Sequence, residues 1–318
     1  MIEIHPGTQL DHFSIDRFVA SSKTTSLYQA TDLDTGATVA LKVPHVNMAA
    51  DAVFAERFHR EEEIGLTLNH PGVMKVVPNP HRTQMYMVLE WLDGPMLRDV
   101  IAAEAPLPSE RALRIAIGIC GALDYVHGHG IVHRDLRPEH VVLLAGEHIK
   151  LIDFGLAGQV GAKRVTFTNI SELISDGDYL APEQITGKRG DARSDLYALG
   201  VMLYKMLSGA LPYGETSSLE QFNDRLLRDP KPIRKVNPEV SPELEEILRR
   251  SLERDPAHRY ASAREFAQDL ANPAAVQITR RWPVSEPTVQ RRPNLVLYCL
   301  LAVPVLVLLI MLVVSRHK

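Results

Sequence analysis

Two acids open the question of chemistry. Asp135 ends the tripeptide His133-Arg134-Asp135, on a loop between a long amphipathic run and a pair of short apolar runs, and Asp153 opens the turn Asp153-Phe154-Gly155. Two carboxylates near strand ends suit a metal-assisted reaction on phosphate: one orients a nucleophile's proton while the other holds a divalent cation. Lys42 lies between Leu41 and Val43 in a strand-like run, a poor place for a solvated lysine. A charge on the inward face of a strand needs a partner, which a downstream helical stretch carrying Glu61, Glu62 and Glu63 can supply. A Cys/His metal site is not expected, because the 13 histidines are scattered without ligand spacing.

The elements that must hold these groups follow from periodicity. Alternation predicts strands over Phe13 to Val19, Ser26 to Ala30 and Thr38 to Val43, with the turn Asp32-Leu33-Asp34-Thr35-Gly36 between the last two. A charged periodic stretch predicts a helix over Asp51 to Leu68 that stops before Asn69-His70-Pro71-Gly72. Strand-like pieces follow at Val73 to Val77 and Met85 to Glu90. Beyond Trp91-Leu92-Asp93-Gly94-Pro95 the pattern turns helical, longest over Ser109 to His127, with short strands expected at Val141 to Leu144 and Ile149 to Ile152. Strands first and helices after predict an α+β body in two lobes joined near Glu90 to Gly94.

Over roughly residues 12 to 271 the chain resembles a bacterial eukaryotic-type (Hanks-type) serine/threonine protein kinase. The resemblance rests on Val39-Ala40-Leu41-Lys42, Arg60-Glu61 ahead of His70-Pro71, His133-Arg134-Asp135-Leu136-Arg137-Pro138-Glu139 and Asp153-Phe154-Gly155. Ala181-Pro182-Glu183, Ser194-Asp195-Leu196-Tyr197-Ala198-Leu199-Gly200 and Asp255-Pro256-Ala257-His258-Arg259 follow in order. It implies a two-lobed protein kinase-like fold, with a small β-rich N-lobe (about 12 to 90) and a larger helical C-lobe (about 95 to 271). It implies that Lys42 binds the ATP α/β-phosphates and pairs with Glu61, that Asp135 accepts the substrate hydroxyl's proton, and that Asp153 holds Mg²⁺. Adenine is expected at the backbone of Glu90 and Leu92, beneath Leu89 as gatekeeper. Structural roles are implied for His133, for Glu183 with Arg259 as a buried ion pair, and for Asp195 on the catalytic-loop backbone. With Glu61 taken by Lys42, Glu62 and Glu63 read as a solvated helix face. Protein substrates, a partner phosphatase and self-association are the partner classes it implies.

Three departures surround the nucleotide. The family's phosphate-loop glycines align with Ala20, Ser22 and Thr25, so none remains; the added Cβ atoms cost flexibility. The Ser22, Thr24 and Thr25 hydroxyls are alternative phosphate donors. His140 stands where the family has a metal-binding asparagine, and imidazole suits Mn²⁺ or Zn²⁺ better than Mg²⁺; the other reading is a hydrogen bond to Asp135 or backbone. Arg137 replaces the catalytic-loop lysine and Asp176 the threonine facing it. A pair between them would order the loop or draw Arg137 from the phosphate. Arg134 resembles the arginine that receives an activation-loop phosphate, here from Thr166, Thr168 or Ser171, though these hydroxyls also suit an ordinary polar loop. The rival to an active kinase is a weak or inactive pseudokinase serving as a signalling scaffold.

Charge and hydropathy separate the C-terminus from this body. Residues 277 to 318 carry six basic groups and one acid, leaving a net −9 on the preceding 276 residues. An acidic body argues against nucleic acid as a partner. Leu295 to Val314 is a 20-residue run without charge, long enough at about 1.5 Å per residue to span a bilayer, and Pro304 is tolerable within it. Residues 272 to 294, rich in Pro and Arg, read as a linker and 315 to 318 as a short tail. Four arginines precede the span and place the body in the cytoplasm. The expectation is a single-pass protein of the cell (inner or plasma) membrane, with a lipid bilayer as partner of one C-terminal transmembrane helix. The N-terminus lacks a secretion pattern, and no sensor domain is expected beyond the span. Cys120 and Cys299 read as small hydrophobes.

Overall fold

A computed structural model describes residues 4–159, 177–215 and 219–279. The sites at Thr166, Thr168, Ser171 and Asp176, most of the linker, the span Leu295 to Val314 and the tail lie outside the described residues. Among the described residues no helix is long and apolar enough to cross a membrane.

The N-terminal part is an antiparallel sheet of β1 (Gln9–Leu10), β2 (Phe13–Ser21), β3 (Thr25–Asp32), β4 (Thr38–Pro44), β5 (Val76–Val77) and β6 (Met87–Glu90), in the order β1-β2-β3-β4-β6-β5. Period-2 alternation sorts its side chains. Val39, Leu41 and Val43 of β4 join Phe13, Ile15 and Tyr86 in one cluster, whereas Ala40 joins Phe58, Val76 and Leu89 in another. Lys42 therefore shares the Ala40 face. After the short α1 (Val46–Ala49), helix α2 (Ala52–Thr67) packs on that face. Asp51 caps α2 by accepting from Val53 N and Phe54 N at 2.8 and 2.9 Å. Its buried stripe is Phe58, Glu61, Glu62, Ile64 and Gly65. At Gly65 a Cβ would lie 2.1 Å from Val76 Cγ2, so glycine permits the close approach of α2 to the sheet.

The stripe corrects one expectation. Glu62 and Glu63 read from sequence as a solvated helix face; Glu63 is exposed, but Glu62 is buried and pairs with both terminal nitrogens of Arg82 at 2.5 and 2.7 Å. Arg82 is distant in sequence and in an irregular segment, so no helical pattern announces it.

The C-terminal part is helical: α3 (Leu97–Glu104), α4 (Ser109–Gly128), α5 (Pro182–Ile185), α6 (Ala192–Ser208), α7 (Leu219–Leu227), α8 (Pro242–Ser251) and α9 (Ala263–Ala271). Short antiparallel pairs join β7 (Ile131–Val132) to β10 (Gly158–Gln159) and β8 (Val141–Leu143) to β9 (Ile149–Leu151). The core lies between α4 (Ile115, Ile119, Leu123) and α6 (Leu196, Leu199, Leu203). Asp191 and the left-handed Gly209 (φ 70°) cap α6 at its two ends. These two helices form the platform on which the loops after β7 and β9 rest.

Candidate active site

A cleft of about 780 Å³ lies between the sheet and the helical part. Ala20, Ser22 and Thr25 line it from the β2–β3 turn, Lys42 and Glu61 from β4 and α2, and Leu89, Glu90 and Leu92 from β6 and its continuation. His140 and Asp153 close its floor. Lys42 Nζ donates to both Glu61 oxygens, at 2.7 and 2.8 Å, and stands 4.0 Å from Asp153 Oδ1. Burial opposes the lysine's charge, but the Asp153 and Glu61 carboxylates outweigh it and hold its pKa above the usual range. Burial likewise opposes ionisation of Asp153, yet Lys42 above all holds this carboxyl well below the usual range. The residue sits at φ 63°, a left-handed conformation rare for non-glycine residues, and Gly155 N donates to its Oδ1 at 3.1 Å.

The catalytic-loop residues are held from beneath. Asp195 at the start of α6, 1% exposed, accepts from His133 N at 2.9 Å, Arg134 N at 2.8 Å and His127 Nε2 at 2.8 Å. A carboxylate only accepts, so His127 carries its proton on Nε2. His133 is wholly buried, donates from Nε2 to the Ile152 carbonyl at 3.2 Å and meets the Phe154 ring at 5.0 Å between centroids. Burial lowers its pKa. Arg134, at φ 67°, is further tied through its carbonyl to Gln184 Nε2 at 2.9 Å. His127 and Gln184 were not singled out in the sequence, although His127 ends the longest helical run six residues before His133.

His140 makes the backbone hydrogen bond that was one of its two sequence readings. Its Nδ1–H donates to the Asp135 carbonyl at 2.7 Å, which leaves the Nε2 lone pair facing Asp153 Oδ2 at 3.7 Å. An imidazole nitrogen oriented by a backbone carbonyl and set opposite a carboxylate is a donor set that fits a divalent cation. For Arg137 the described contact is a local one. Its Nε donates to Glu139 Oε2 at 2.9 Å, a partner two residues away that the sequence reading passed over, while Asp176 falls outside the described residues.

Glu183 binds Arg259 NH1 and NH2, each at 2.8 Å, and accepts from Ser194 Oγ at 2.6 Å. Near the catalytic loop, a Cβ on Gly158 would lie 2.5 Å from Arg134 NH1 and 3.1 Å from Arg189 NH2. Two guanidiniums thus converge on one spot, and neither has an ion pair among the described residues. Burial and then Arg189 pull the Arg134 pKa down to about 10.

Lobes, cleft and carboxylate pair define the class. The model of the protein kinase domain matches residues 14–270, and the chain belongs to this family, whose members use ATP and a divalent cation. Serine/threonine-protein kinase PknB of Mycolicibacterium smegmatis is 32% identical over 265 residues, covering 82% of this chain and 42% of that protein. The probable serine/threonine-protein kinase SCO3848 of Streptomyces coelicolor is 36% identical over 249 residues, covering 77% and 37%. The chain thus spans about two fifths of the length of these curated relatives. The crystal structure of the Mycobacterium tuberculosis PknI kinase domain superposes with a TM-score of 0.67 at 29% identity, over 86% of this chain and all of that one.

Proposed function

We propose that this chain is a serine/threonine protein kinase that transfers the γ-phosphoryl group of ATP to protein hydroxyls. The observation that carries this reading is the closed Lys42–Glu61 pair with Asp153 beside it. Three groups from three elements already stand where phosphate and metal charge must be met, with little left to reorganise. Lys42 positions the α/β-phosphates. Asp153 and His140 Nε2 would hold a divalent cation, which supplies charge neutralisation on the β/γ-phosphates when bound. Asp135 orients the acceptor hydroxyl and takes its proton, and Arg137 offers a charge to the transferred group.

Mg²⁺ is the expected cation, and the imidazole donor shifts preference toward Mn²⁺. Arg134 and Arg189 form a basic spot suited to a phosphate on Thr166, Thr168 or Ser171. Leu295 to Val314 anchors the chain in the cell membrane with the kinase domain in the cytoplasm. The test uses the full chain in detergent with labelled ATP, in Mg²⁺ and separately in Mn²⁺, beside Asp153→Asn. Incorporation above that variant is expected; equality with it in both metals refutes the kinase reading and leaves the scaffold.

A further inference from the structure

The turn between β2 and β3 is closed by one side chain. Ser22 Oγ accepts from Thr25 N at 3.0 Å and from Thr24 N at 3.2 Å, and Ser22 N donates to the Thr25 carbonyl at 2.8 Å. The hydroxyl also lies 3.1 Å from Thr25 Oγ1 and from Thr25 O. A serine hydroxyl has one proton to donate and two lone pairs. Accepting from two amides, it uses both pairs in the same way that an N-cap serine occupies the first amides of a helix. Ser22 and Thr25 face the cleft that also holds Lys42 and Asp153.

This conformation is fixed from outside the turn. His45, just beyond β4, donates its backbone N–H to the Thr24 carbonyl at 2.9 Å. Its Nε2 lies 3.1 Å from both Ser21 Oγ and Ser26 Oγ, which are 3.2 Å apart. A glycine-free turn is thus pinned at both strands and at its tip.

Backbone amides at a loop tip are a ready anion site only while their protons are free. We infer that the Ser22 hydroxyl is an internal competitor for nucleotide phosphate. It occupies the Thr24 and Thr25 amides, so a polyphosphate entering the cleft must displace it or do without them. Ser22 is then a specificity-determining residue that weakens nucleotides and leaves nucleosides unaffected, because adenosine has no group to place at the turn. This rests on the reading of the cleft as a nucleotide site.

The test is calorimetric binding of adenosine, ADP and ATP to the full chain in detergent, as wild type, Ser22→Ala and Ser22→Thr. Ser22→Ala removes the competitor and keeps the Cβ, so added flexibility does not enter. ADP and ATP should tighten about tenfold, the worth of a hydrogen bond to a charged group less the lost cap. Adenosine should be unchanged, and Ser22→Thr, which keeps the hydroxyl, should bind as wild type does. Unchanged ADP affinity in Ser22→Ala, or an equal gain for adenosine, overturns the competition. Wild type and variants that bind none of the three ligands would instead overturn the cleft reading, and this inference with it. Folding of each variant is checked by its unfolding midpoint; wild-type midpoints with no tightening count against the proposal.

Discussion

Asp195→Asn is the substitution with the most readable consequence. The Asp195 carboxylate gathers three donors at 2.8 to 2.9 Å, two of them main-chain amides of His133 and Arg134. Asparagine offers one acceptor oxygen and one NH₂, so an amide or His127 must face another donor. Leaving one buried donor unmet costs about 1–3 kcal/mol, and neutralising the acceptor weakens the remaining bonds by about 1 kcal/mol more. The sum is about 3 kcal/mol. With an m-value of about 2–3 kcal/mol per M in urea, the unfolding midpoint should fall by roughly 1–1.5 M. Circular dichroism of the full chain reads this transition, because the helical core between α4 and α6 dominates the signal.

The effect also has a pH signature. Burial pushes the Asp195 carboxyl up, but its hydrogen bond to His127, the nearby His127 and His133, and the Arg134 amide outweigh this and lower it. A folded-state pKa below the unfolded value of about 3.9 gives stability that is present above that value and lost as pH falls through the folded one. The gap between wild type and Asp195→Asn should therefore be full at neutral pH and narrow below about pH 4. A midpoint change worth less than about 1 kcal/mol at pH 7, or a gap that widens in acid, would refute the reasoning.

Other outcomes follow from the same geometry. Glu183→Gln takes the carboxylate charge and one of its two acceptor oxygens from the buried Arg259 guanidinium, which keeps the carbonyls of Glu253, Arg193 and Arg254, and should destabilise by about 3 kcal/mol, read as a lowered melting temperature. His140→Asn should raise Mg²⁺-dependent relative to Mn²⁺-dependent phosphorylation; an unchanged metal ratio counts against the imidazole as a ligand. Deleting Leu295 to Lys318 should release the chain from membranes on sedimentation, and a truncated protein that still pellets with them would remove the anchor.

Strand and helix periodicity carried much of the site. Alternation put Lys42 on the inward face of a strand and left Glu61, Glu62 and Glu63 as candidate partners, and the kinase resemblance selected Glu61, the one that Lys42 meets. The segments Ser26 to Ala30 and Asp51 to Leu68 reappear as Thr25–Asp32 and Ala52–Thr67 with ends moved by one or two residues, because frayed ends depend on neighbours that periodicity does not encode. Glu62 went the other way: a helix edge that looks solvated became buried when Arg82 closed over it.

By itself the sequence determined the family, the lobe order, and which charged residues stand in register, since these depend on residue type and local spacing. The chain's departures were visible only as substitutions. Tertiary structure decided which contacts the substituted side chains make: Arg137 Nε reaches Glu139, His140 Nδ1 reaches the Asp135 carbonyl, and Ser22 folds back on its own turn. Each outcome depends on the direction in which a lone pair or N–H points. That direction is set by backbone geometry and by partners far away in the chain, to which spacing along the sequence is blind.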